Sequence, residues 1–261
     1  MFRLSREVRF AINSQPDDQL SRKPGNSYGG FPALTGVGYW FTLTVELAGE
    51  IDPKTSYLRN IKEIDDVVRR RAIPVVEKAI RERTFGGGAR VVGELFGLLR
   101  ESWPGAGLES IELSLSPFLK LGVKKQEFPM TRLSQKFEFS ASHRLHNPEL
   151  SDEENRASFG KCNNPAGHGH NYEVEVCVGV DPKRDDALPG LPKLERIVTS
   201  TVIDRFDHKH LNLEVREFAS LNPTAENIAK VIFGLLRPHV ANLLAVKVWE
   251  TPKTWCEFSE S

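Results

Sequence analysis

The chain has 261 residues, with 35 Lys and Arg balanced by 35 Asp and Glu, and 39% of its residues are hydrophobic. That balance supplies no overall field to draw in nucleic acid or an anionic membrane, three cysteines do not make a disulfide framework, and nowhere do about 18 apolar residues run together as a membrane span needs. The length suits one large domain or two of about 130 residues, in a soluble cytoplasmic protein whose thiols are free or catalytic.

At the N-terminus, MFRLSREVRF lacks the continuous apolar core of a signal peptide, and REVRFAINS (6–14) forms the first expected strand. A glycine-rich loop leads to YWFTLTVELAGEIDP (39–53), a strand ending at Asp-Pro. Ile61, Ile64 and Val68 keep helical spacing. RRR (69–71) falls in that stretch and is expected to be a solvated face, and FGGGAR (85–90), which lacks the Lys-Ser/Thr ending of a phosphate loop, a flexible loop. FGLLR (96–100) closes a second helical stretch, IELSLSP (111–117) is a strand, and KLGVKKQEFPMTR (120–132) is expected to be a linker. Beyond it QKFEFSASH (135–143) is a strand, as is HNYEVEVCVGVDP (170–182), where His170, Tyr172, Val174, Val176 and Val178 alternate with Asn171, Glu173, Glu175 and Cys177 and predict one buried face. Leu194, Ile197, Val198, Thr201, Val202 and Phe206 keep helix spacing. Asn222-Pro223-Thr224 supplies a cap and a helix start before Ile228, Val231, Ile232, Leu235 and Leu236. FGLLR recurs at 233–237, and VKVWETP (246–252) is the last strand of this series.

The recurrence of FGLLR, with paired strand segments on either side, marks an internal repeat. The fold class is therefore α+β: two tandem units, over 1–125 and 132–261, each an antiparallel four-stranded sheet backed by two helices. The copies differ in chemistry, because all seven histidines and all three cysteines lie at position 143 or later. Aligning the repeats sets Ser14 opposite His143, Phe31 opposite Cys162, Val37 and Tyr39 opposite His168 and His170, and Leu115 opposite Glu250. The first copy is expected to be scaffold without metal or catalytic residues.

His168 and His170 are two apart, so on one strand they project from the same face and can share an ion. A third imidazole is offered by His143, with His146 as a less well placed competitor. Three imidazoles favour zinc with a fourth position open to water or substrate; Cys162 in that position would close the site as a structural one, and an absence of metal is the remaining alternative. Asp207-His208 is either a carboxylate–imidazole pair or a helix cap beside a surface charge. Glu250 shares a face with Val246 and Val248, where a carboxylate is costly without a partner; otherwise it reaches solvent at the strand end. Cys177 and Cys256 have no clustered histidine and read as unreactive.

In this order and spacing, FSASHRL, LSDEEN, FGKCNNPAGHGHNY, DHKHL, TAEN and VWET resemble the 6-pyruvoyltetrahydropterin synthase family of T-fold proteins, over roughly 132–258. The first half resembles the same fold as a degenerate copy. The resemblance implies that His143, His168 and His170 bind Zn2+, that Cys162 is the catalytic base and not a ligand, and that Asp207 and His208 activate it. It implies further that Glu250 anchors the pterin ring and that Thr224 and Glu226 help line the pterin pocket. The implied activity is a lyase converting 7,8-dihydroneopterin triphosphate to 6-pyruvoyltetrahydropterin with release of triphosphate and without a redox cofactor. The alternatives are a 6-carboxy-tetrahydropterin synthase, a side-chain aldolase of the same family, or a non-catalytic pterin-binding scaffold; the five residues between Cys162 and His168 favour the biopterin type. The implied partner is a pterin triphosphate, with neither nucleic acid nor membrane, in a homo-oligomer in which three tandem chains make a pseudo-hexamer with sites at subunit boundaries.

Overall fold

Along β1 (Phe2–Asn13), Val8 and Phe10 are buried while Glu7 and Arg9 are not, the alternation of a strand with one face on a core, and from Phe10 to Ile12 every residue is buried. The computed structural model describes residues 1–14, 28–84, 87–183 and 190–260, in two compact units: Met1–Leu133 with Gly179–Pro189, and Ser134–Val178 with Gly190–Ser261. Much of the expected glycine-rich loop before residue 28 lies outside the described residues.

In the first unit β2 (Gly38–Gly49) pairs antiparallel along the whole of β1, with Phe2 opposite Gly49 and Asn13 opposite Gly38. The helix α1 (Ile61–Val67) starts where the Asn60 side chain accepts from the Lys62 amide, and α2 (Ile73–Arg81) carries Pro74 in its first turn, where a missing N–H costs nothing. A π-helical turn, Val68–Ala72, joins them. It holds the three arginines, which are not a uniformly solvated face: Arg69 pairs with Asp65 at 3.6 Å and Arg71 donates to Ser102 Oγ. Arg6 grips the same Asp65 through two 2.8 Å hydrogen bonds, a charge-assisted fork that ties β1 to α1.

FGGGAR departs from expectation. Phe85 and Gly86 lie outside the described residues, while Gly88, Ala89 and Arg90 form the first turn of α3 (Gly88–Leu99), whose Val92, Leu95 and Leu99 are fully buried. The expected linker is also corrected. After β3 (Ala106–Ser116), residues of that segment form β4 (Leu119–Lys124), paired antiparallel with β3, and Leu121 and Val123 are buried. The sheet of this unit runs β1-β2-β3-β4.

The second unit contains β5 (Thr131–His143) from Ser134 onward, α4 (Asp152–Phe159) and β6 (His168–Val180). It continues through α5 (Leu191–Val198), a π-helical turn Thr199–Ile203, α6 (Asp204–Phe206), β7 (Lys209–His210) and α7 (Leu211–Glu214). The chain then forms α8 (Ala225–Leu236), β8 (Leu243–Thr251) and β9 (Thr254–Phe258). Here the order is β5-β6-β8-β9, with the two residues of β7 laid parallel to β5. Ser151 and Glu154 close a capping box at the start of α4, which ends at Gly160 with φ 51°. Ile228, Ile232 and Leu236 of α8 are fully buried, and Phe233 meets Phe258 of β9 at 5.2 Å between centroids; burying such side chains contributes about 1.5–3 kcal/mol each. The single buried face predicted for β6 holds only to Val174. From there to Val180 every residue is buried, Glu175 and Cys177 included. Among the described residues no helix is long and apolar enough to cross a membrane.

Candidate metal centre

β5 ends at His143 and its sheet neighbour β6 begins at His168, so two adjacent strands bring imidazoles to one end of the ladder. Two contacts fix the faces. Phe139 and Tyr172 stack at 4.9 Å on one side, while Ser140 Oγ and Asn171 Oδ1 lie 2.7 Å apart on the other. With a side-chain period of two, His143, His168 and His170 share the face of Phe139 and Tyr172.

Glu250, near the end of β8, completes a group in which one ligand-type atom from each of His143, His168, His170 and Glu250 lies within 4.8 Å of the others. His143 Nε2 is 3.0 Å from His168 Nε2 and 3.2 Å from Glu250 Oε1, and His170 Nε2 is 3.3 Å from that oxygen. His143 is fully buried, and its Nδ1 donates to the Pro223 carbonyl at 2.7 Å. That bond fixes the tautomer in which Nε2 keeps its lone pair. His170 Nε2 is buried without a hydrogen-bond partner. Nitrogen lone pairs and a carboxylate thus face one another over a few ångströms, which is repulsive unless positive charge sits among them. Burial, reinforced by the neighbouring imidazoles, holds the His168 ring below its ordinary pKa, and burial does the same to His170 against the opposing pull of Glu250. Both rings therefore favour the neutral, ligating form. The His143 contact holds the Glu250 carboxyl below the usual range, against burial. Imidazole nitrogens with a carboxylate oxygen are a donor set that fits a divalent transition-metal ion.

Cys162 lies in the short 3-10 turn Gly160–Asn163, outside this group. Among the described residues the fourth member beside the three imidazoles is a carboxylate, not the thiol. His146 is also outside, with its Nδ1 3.1 Å from Asn163 Nδ2. Asp207 and His208 do form a pair: Asp207 Oδ2 is 2.8 Å from His208 Nδ1, and Oδ1 accepts from the Ser140 amide at 2.8 Å. The Ser140 amide first, then His208, lowers the Asp207 pKa. His208 opens on a cleft of about 520 Å³ whose lining includes Ser140, Ser142, Gly169, His170 and Asn171. Among the described residues no hydrogen bond or ion pair joins Cys162 to Asp207 or His208. Thr224 caps α8, its hydroxyl accepting from the Asn227 amide, and Glu226 is exposed in the first turn of that helix. Glu250 does share a face with the buried Val246 and Val248, and the imidazoles are the partners its burial requires.

Three contributors escape sequence reasoning. The Pro223 carbonyl orients His143 from 80 positions away, and nothing local marks a carbonyl as an acceptor. Asn212 clamps both backbone groups of Arg144 next to His143. Gly167 (φ 73°) precedes His168 where a Cβ would meet His210 Nε2 at 2.9 Å and the His143 carbonyl at 3.0 Å, so only glycine passes there.

A family profile described as 6-pyruvoyl tetrahydropterin synthase matches residues 132–261, the stretch that holds all four members of the group. Over 129 residues the chain is 42% identical to a 6-pyruvoyl tetrahydrobiopterin synthase of Drosophila melanogaster, spanning 48% of this chain and 77% of the relative. Over 124 residues it is 44% identical to that of Homo sapiens, spanning 46% and 85%. The solved structure of Caenorhabditis elegans 6-pyruvoyl tetrahydropterin synthase aligns at 39% identity and a TM-score of 0.47, covering 51% of this chain and 97% of the other. With these identities sustained over most of each relative, the chain belongs to the 6-pyruvoyl tetrahydropterin synthase family.

Proposed function

We propose that the chain is a zinc-dependent lyase that converts 7,8-dihydroneopterin triphosphate to 6-pyruvoyltetrahydropterin and triphosphate. The observation that carries this reading is the convergence of His143, His168, His170 and Glu250 inside the segment that matches the family. His143, His168 and His170 would hold Zn2+, which when bound supplies Lewis acidity toward the oxygens of the substrate's side chain.

The chain's own residues would do the rest. Cys162 takes the carbon-bound proton, and because a thiol is mostly protonated at neutral pH it needs a neighbouring base. Asp207 and His208 are such a base and its orienting carboxylate. Among the described residues no hydrogen bond joins them to Cys162, and His208 exposes most of its side chain, so in this reading the pair of one copy serves Cys162 of another, in a homo-oligomer with sites at subunit boundaries. Glu250 accepts the N–H and amino donors of the pterin ring, a two-point contact that fixes the heterocycle, with Thr224 and Glu226 bordering the pocket. The spacing of Cys162 from His168 supports the biopterin-type product over the 6-carboxy product.

In the same reading residues 1–125 are a degenerate copy of the active unit. Both units run strand, strand, helices, strand, strand, and no histidine or cysteine precedes His143. Three such chains make a cytoplasmic pseudo-hexamer. The test is metal analysis of purified protein followed by mass spectrometry of its reaction with dihydroneopterin triphosphate. Wild type is expected to hold zinc and release triphosphate, and Cys162→Ala to keep metal and fold while losing at least about a hundredfold in rate. Undiminished turnover removes the thiol from the mechanism, and binding without triphosphate release makes the protein a scaffold.

A further inference from the structure

Tyr172 is fully buried, and its hydroxyl has no hydrogen-bond partner. Buried hydroxyls are nearly always paired, so an orphan of this kind points to a partner that arrives from outside the fold. The phenol does not lie in an anonymous part of the core. It follows His170 by two positions on β6 and shares its face; its ring meets that of His170 edge-on at 5.5 Å and that of His143 at 6.1 Å, while Phe139 stacks on its flank. A phenol hydroxyl can donate as well as accept, and the ring that carries this one packs against two of the imidazoles about which the substrate's side chain would lie.

We infer that Tyr172 is a further catalytic residue, whose hydroxyl donates a hydrogen bond to the substrate side-chain oxygen next to the carbon that loses its proton. The inference rests on the pterin-lyase reading above. In the step concerned the C–H bond breaks, the proton passes to the Cys162 sulfur, and the electron pair left behind moves into the pterin ring system. Nothing outside the substrate is oxidised or reduced, and the phenolic proton stays on Tyr172. The hydrogen bond withdraws electron density from that oxygen and through it from the carbon it is bonded to, where negative charge builds as the proton leaves, so it favours the transition state over the bound substrate.

Tyr172→Phe removes one oxygen and leaves the ring packing intact. In metal-free and substrate-free protein the lost hydroxyl had no partner, so the variant is expected to melt at or above the wild-type temperature. With zinc bound, at unchanged zinc content, its kcat on dihydroneopterin triphosphate is expected to fall about a hundredfold with little change in KM. A lower Tm in the metal-free protein, with or without lost activity, overturns the inference, because the hydroxyl is then already partnered in the resting fold. Unchanged kcat beside an active wild type overturns it as well. A wild type that releases no triphosphate instead overturns the lyase reading, and the inference with it.

Discussion

His143 donates its Nδ1–H to the Pro223 carbonyl. With that proton so engaged, the 3.2 Å approach of His143 Nε2 to Glu250 Oε1 is one that positive charge relieves, from a second ring proton or from a bound cation. Once the imidazole lone pairs are engaged, the carboxylate is available to a ring bearing N–H donors. Glu250→Gln keeps the shape and removes the charge. With three imidazoles untouched, zinc content is expected to stay at the wild-type level while KM for the pterin substrate rises about tenfold to a hundredfold, the worth of a lost charge-assisted pair. Loss of zinc at unchanged KM would make Glu250 a metal ligand instead. The imidazoles were legible in sequence because an i, i+2 pair on a strand shares a face, and because SASH ends the strand before it. Tyr172 was legible as a buried residue, but an unsatisfied hydroxyl is a property of its neighbours, which no local pattern encodes.

At the scale of elements, the alternation of Leu121 and Val123 with Lys120, Gly122 and Lys124 is a strand signal, yet the stretch falls where the two expected repeats meet, the place of a linker. Pairing with β3 decided the outcome, as tertiary context commonly does for strands. The π-helical turns at 68–72 and 199–203 were invisible for a related reason, since the apolar spacing on either side still fits one continuous helix. The turn that follows β4 is held by Glu127, whose two oxygens each lie 2.7 Å from Arg132. The Arg132 hydrogen bond, opposed by burial, holds the Glu127 carboxyl below its ordinary pKa. A depressed folded-state pKa means stability that is fully present above the unfolded value of about 4.3 and is lost as the pH falls through the lower folded one. The Tm advantage of wild type over Glu127→Gln is thus expected to be constant near neutrality and to shrink below about pH 4.3. An advantage that persists unchanged through that range would show that the ion pair does not contribute.

At the scale of the whole molecule, the proposed mechanism makes its strongest demand on assembly where it pairs Cys162 with Asp207 and His208. His208 exposes 84% of its side chain, beside Ser140 and Ser142. A general base needs hydrogen-bond reach of the proton it receives, so in the proposed mechanism a second copy supplies one half of the catalytic apparatus. Closed symmetric assemblies repeat one interface, which makes this arrangement testable by mixing lesions. Cys162→Ala chains and His208→Ala chains are each expected to be inactive alone. Co-expressed under two tags and purified as mixed oligomers, they should recover activity, because with random assembly about a quarter of the boundary sites receive an intact cysteine from one chain and an intact pair from the other. If the pair instead acts on the cysteine of its own chain, every site in the mixture keeps one lesion and triphosphate release stays at the level of the separate variants.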